Sequence, residues 1–98
     1  LHEPHYARAA LDLLDSITES LAGTEIRTGD DFAALKKGLA YCWSVAVAAL
    51  PEVGKITMQK WLASSDKDVR WIMRENLKKN RLIKMDPVWV DSMRISLG

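Results

Sequence analysis

The sequence predicts an all-α fold, and three observations carry that prediction. Apolar residues recur at three- and four-residue steps along most of the 98-residue chain. Pro4, Pro51 and Pro87 each stand just ahead of such a stretch, where a residue without an N–H suits the first helical turn. No segment shows sustained two-residue alternation bounded by hairpin turns, so no sheet is expected.

Composition sets the outer bounds. With 48% hydrophobic and 28% charged residues, the chain reads as one small globular domain or a piece of a larger protein. Its longest apolar run, Val45 to Pro51, falls far short of the ~20 residues that cross a bilayer, so no membrane partner is expected. No basic segment leads into an apolar one as in a secretory signal. Cys42 is the one cysteine, which excludes an internal disulfide and fits a reducing, cytoplasmic location.

The first helix is expected from His5 to about Ala22. At 100° per residue, Tyr6, Ala10, Leu13, Leu14, Ile17 and Leu21 share one face, opposite Arg8, Asp12, Asp15 and Glu19. Gly23 ends it, and residues 24–29 read as a polar loop. A second helix follows from Asp31 to Leu50 with Asp30 as N-cap. Its stripe is Phe32, Leu35, Leu39, Cys42, Trp43, Ala46 and Leu50. Beyond Tyr41 this helix is apolar nearly all round, as befits the middle of a core. The third helix, Glu52 to Ala63, is anchored by Met58, Trp61 and Leu62, with Gly54 and Thr57 lowering its propensity. Ser65 or Asp66 caps a fourth, Lys67 to Asn80, with Val69, Ile72, Met73 and Leu77 inward and Asn76 among them. A link, Arg81 to Met85, leads to Asp86-Pro87 and a last helix with Trp89, Val90, Met93 and Leu97 on one side. Trp43, Trp61 and Trp89 are expected in the core, each with an acceptor for its indole N–H. The same need of a partner applies to Asn76.

The prolines lie 47 and 36 residues apart. Leu21-Ala22 and Leu62-Ala63 then occupy matching places, each followed by an acidic turn and a further helix. A unit of helix, turn, helix and proline at a period of ~40 residues is the pattern of helical-pair solenoids. The run Trp61-Leu62-Ala63-Ser64-Ser65-Asp66-Lys67-Asp68-Val69-Arg70 resembles the joint between the two helices of a HEAT repeat: a leucine closing the first helix, an acidic turn, then Val-Arg opening the second. The first unit departs from it, with a longer loop and Phe32-Ala33 in place of Val-Arg. The resemblance implies a right-handed α-solenoid fragment: repeat one over 4–50, repeat two over 51–85 and a terminal helix over 86–98. It also implies that Arg70 pairs with Asp66 or Asp68 in a structural ladder. Two repeats are few for a stable stack. Together with a start at Leu1, and Val88 and Ile95 facing away from the core, this predicts a terminal fragment or a homodimer through an exposed repeat end.

Charge is unevenly placed. Residues 1–54 carry four basic and eight acidic groups, residues 55–98 ten basic and five acidic, which implies a directional partner surface or charge matching within the fold. Lys67, Arg70, Arg74, Lys78 and Arg81 recur at three- and four-residue steps with Trp71 at their border, so they form the candidate partner-binding ridge. Second helices line the concave face of such solenoids. The expected partner is an acidic protein surface or peptide; the alternative is a nucleic-acid backbone, as in HEAT-like DNA alkylation-repair proteins. A ligand-free structural or oligomerisation cap is the third reading. The bland account of the ridge is a ladder plus solvated charge.

Catalysis finds no support. There is no phosphate-binding loop, nucleophile elbow or zinc-protease motif. Helix capping accounts for Asp30-Asp31 and Asp66/Asp68. His2, Glu3 and His5 fall short of a four-ligand zinc site. Neither cofactor nor metal is expected, and the function predicted is a non-enzymatic interaction or scaffold module.

Overall fold

Pro4, Pro51 and Pro87 each start a helix, as their missing N–H favours. The computed structural model describes residues 4–98 in six helices: α1 (Pro4–Ala22), α2 (Asp30–Ala49), α3 (Pro51–Leu62), α4 (Lys67–Leu77), α5 (Asn80–Met85) and α6 (Pro87–Leu97). Among the described residues there is no strand.

Local chemistry explains the helix starts. The Asp66 carboxylate accepts the N–H groups of Asp68 (2.9 Å) and Val69 (3.1 Å) at the head of α4, and Asp86 accepts that of Trp89 (3.1 Å) at the head of α6. Asp30 is not the N-cap of α2. Gly29 takes that place with φ of 96°, no side chain caps the helix, and Asp30 and Asp31 fall in its first turn, where the helix dipole favours them. The loop is tied down by Arg27, which donates to Ala22 O and Thr24 O. Its exit into α2 then needs a left-handed residue that glycine supplies. The fourth helix also ends sooner than its pattern suggests. Lys79 is extended, and the expected link becomes the short helix α5. This bend carries Leu82 into the core at 0% exposure.

The core is continuous, and α2 packs against α1, α3, α4 and α5. Val69, Ile72, Met73 and Leu77 of α4 are fully buried, as are Trp43 and Met58. Two stripes differ from expectation. On α1 the buried residues are Ala7, Leu11, Leu14, Thr18 and Leu21, while Tyr6 and Leu13 are each 60% exposed. Leu14 and Leu21 stay inward and Ala10 and Ile17 pack at the core margin, so the helix is rolled by less than one residue, ~70°. Polar partners set that roll: Trp43 donates its indole N–H to Thr18 Oγ1 (3.0 Å), and Trp61 donates its own to Asp15 (2.8 Å). On α2, Cys42 and Leu35 face outward, and Ala40, Ser44 and Val47 are buried in addition to Leu39, Trp43 and Ala46. Asn76 explains the turn of α2. Its Oδ1 accepts the Ser44 N–H (2.8 Å), and its Nδ2 donates to Leu39 O (3.0 Å) and Ile72 O (2.7 Å). Trp61 and Trp89 are only partly buried, and the Trp89 indole N–H, expected to have an acceptor, has none.

The radius of gyration of 12.8 Å matches the ~13 Å of a compact chain of this length. The least extent, 19 Å, corresponds to two helix layers of about 10 Å each.

Gly54 sits where α3 crosses α2. A Cβ there would stand 2.8 Å from Val47 Cα, a contact with backbone that no rotamer change relieves. Gly54→Ala would gain about 1 kcal/mol of helix propensity against about 1–3 kcal/mol of overpacking. We expect a net loss of stability, read as a lower urea midpoint; a raised midpoint would refute this close approach.

Candidate functional site

Four of the six ridge residues start on one helix, but their side chains part company. Lys67 is exposed at the first position of α4. Arg70 does not pair with Asp66 or Asp68. It donates to Ser64 O (3.4 Å) and to Leu97 O, tying α4 to the end of α6. Trp71 turns toward α2, with the Lys36 ammonium 4.6 Å above its ring. Because the chain bends after Leu77, Arg81 lies on α5 and also faces α2. There it donates to Ser44 Oγ and Tyr41 OH (both 3.1 Å), with its guanidinium 4.6 Å over the Tyr41 ring.

The ladder position left by Arg70 is filled from another part of the chain. Arg27, in the α1–α2 loop, donates to both carboxylate oxygens of Asp66 (2.7 and 2.9 Å) and to Asp68 (2.9 Å), and Lys36 of α2 reaches the other Asp68 oxygen at 2.8 Å. This cluster joins the first loop, α2 and the head of α4. Arg27 and the two capped N–H groups hold the Asp66 carboxyl down to about 2. Lys36, then Arg27, hold Asp68 below the usual carboxylate range, and the two aspartates push Arg27 up. Both acids are thus strongly ionised and committed to cations, the reverse of what a general acid needs.

Arg74 and Lys78 stay together. They line a recess of about 250 Å³ between α4 and α6, with Arg94, Leu97 and Gly98 completing the wall. Three of its five lining residues are cationic and none is acidic. Lys78 also pairs with Glu75 at 2.7 Å, and Arg74 lies 3.5 Å from Gly98 O. The Arg70 bond to Leu97 O holds the last turn of α6 beside α4, which brings Arg94 to the recess. Arg94 was absent from the expected ridge: it is 20 residues from Arg74 in sequence, so periodicity within one helix could not find it. Its only signal was a cation in the last turn of a helix.

Among the described residues, no group of three or more His, Cys, Asp or Glu side chains is placed to hold a metal ion. His2 and Glu3 lie outside the described residues, and His5 is exposed beside Tyr6, with ring centroids 4.1 Å apart.

The aspartate cluster makes stability depend on acid. The Asp66 pKa is lowered on folding, so its stabilising contribution is present above the ordinary value of 3.8 and is lost as pH falls through about 2. We expect the melting temperature to drop over that window. In Arg27→Gln it should start lower at neutral pH and drop less across the window; an unchanged acid profile would show that Arg27 does not hold these carboxylates.

Comparison with protein-family models, with curated proteins and with solved structures finds no match, so any functional reading rests on the geometry.

Proposed function

We propose that this chain is a non-enzymatic protein-interaction module of HEAT-repeat type that holds an acidic segment of a partner protein in the recess between α4 and α6. The observation that carries the reading is the convergence of Arg74, Lys78 and Arg94 on one recess whose wall has no acidic side chain. Arginine offers a planar fork to a carboxylate, and lysine adds a mobile point charge, so the set suits an Asp- or Glu-rich peptide. Arg70 serves here as a positioning residue through its bond to Leu97 O. The stack itself is supported by packing between alternate helices, α1 on α3 and α2 on α4, which is how neighbouring helical pairs meet in a solenoid. On this reading 4–50 and 51–85 are the two repeats, and α6 begins the next layer.

A nucleic-acid backbone is the second reading, favoured by the further exposed cations Lys67 on α4 and Lys84 on α5. Fluorescence anisotropy with a labelled oligoglutamate peptide and a labelled DNA duplex separates the two. We expect saturable peptide binding that weakens tenfold or more in the double variant Arg74→Glu, Arg94→Glu, with helical content unchanged. Duplex binding with a log–log salt slope near −0.9 per phosphate contact, and no peptide binding, would establish the second reading. If neither probe binds, the recess is ordinary solvated surface.

A further inference from the structure

The recess between α4 and α6 gathers three cations in a small space. Its volume of about 250 Å³ lies below the ~300–1,000 Å³ of pockets for drug-sized ligands, so it receives one side chain and not a run of them. Arg74 stands in the last turn of α4, Lys78 at its C-cap and Arg94 in the last turn of α6. Partial negative charge at those helix ends offsets about half a unit each, which leaves most of the positive charge uncompensated. Among the described residues, neither Arg74 nor Arg94 has an ion pair. Lys78 has one, with Glu75, but its side chain is 56% exposed and such a pair contributes little, so the ammonium is free to turn to a stronger anion. Neither Glu75 nor Asp91, the acids nearest these cations in sequence, lines the recess.

Three donor groups on one small recess fit an anion with three oxygens. A carboxylate offers two oxygens and a single charge, and a nucleic-acid phosphodiester likewise two free oxygens and a single charge. A phosphomonoester offers three terminal oxygens and a charge of about −1.5 to −2, and an arginine fork bonds two of those oxygens at once. The rest of the wall narrows the choice further. Leu97, its apolar member, is 3% exposed, and no aromatic residue lines the recess, so the ring of a phosphotyrosine would find nothing to pack on. We infer, resting on the interaction reading above, that the group held by Arg74, Lys78 and Arg94 is a phosphoserine or phosphothreonine side chain of the partner protein. Phosphorylation of the partner would then switch the complex on, since the unmodified hydroxyl brings no charge to the recess.

Fluorescence anisotropy with labelled peptides of one Gly- and Ala-rich sequence, carrying phosphoserine, glutamate or serine at the centre, tests this. The phosphoserine peptide should bind at least tenfold more tightly than the glutamate peptide, with inorganic phosphate competing, and the serine peptide should not bind. Arg94→Gln should weaken the phosphoserine complex tenfold or more. Lys37→Gln, which removes an exposed cation on α2 outside the recess, should change it less than twofold. Both positions are exposed, so circular dichroism should show intact helices. Equal binding of the phosphoserine and glutamate peptides would overturn the phosphoryl preference and leave the acidic-segment reading standing. Failure of the phosphoserine, glutamate and oligoglutamate peptides alike would overturn both. An equal loss in the two variants would show diffuse surface charge in place of a site, and tighter binding of duplex DNA at the same salt would favour the nucleic-acid reading; each of these overturns the assignment.

Discussion

The fold turns on one fully buried amide. Asn76 has no exposed surface, yet all the polar capacity it uses is met by the backbone of α2 and by its own helix. Leaving any of these groups unpaired inside the protein would cost about 1–3 kcal/mol. A slip of α4 along α2 by one turn would break the bonds to Ser44 and Leu39 together, so Asn76 sets the register of the two central helices. Apolar contacts alone, from Ile72, Met73 and Leu77, would tolerate several registers. The close approach at Gly54 then fixes α3 against the other side of α2.

The charged cluster of Arg27, Lys36, Asp66 and Asp68 acts on the same helices from their ends. It pins the α1–α2 loop to the head of α4 with forked, charge-assisted bonds in a partly buried setting. One consequence is mechanical, since the cap of α4 and the path of the loop become a single unit. The other is electrostatic: cations from the acidic part of the chain are spent on carboxylates of the basic part. The remaining surface is more polarised than the net charge of +1 suggests, and the basic recess draws on that polarisation.

Spacing alone led to a ridge on α4, and the way it dissolved is instructive. Periodicity places residues on a common face but does not say where long side chains reach. Arg70 found backbone carbonyls at the end of α6, Trp71 found Lys36, and the extended Lys79 carried Arg81 off to Tyr41. Arg74 and Lys78 were left, and a cation from a different helix joined them. Likewise the cation paired with the turn aspartates comes from 39 residues upstream of Asp66, beyond the reach of any local pattern.

The proline starts, the Asp66 and Asp86 caps, the inner face of α4 and the need to satisfy Asn76 were all determined by the sequence, because each depends on residues within a turn or two of one another. The tertiary structure decided the roll of α1 and α2, the end of α4 at Leu77, the partner of Asp66 and Asp68, and the place of Arg94. Those outcomes depend on hydrogen bonds and ion pairs between distant segments, such as Trp43 to Thr18 or Arg27 to Asp66. A helix with apolar residues on more than half its circumference, like α2, has several faces it could bury with nearly equal gain, and only the positions of the polar partners choose between them.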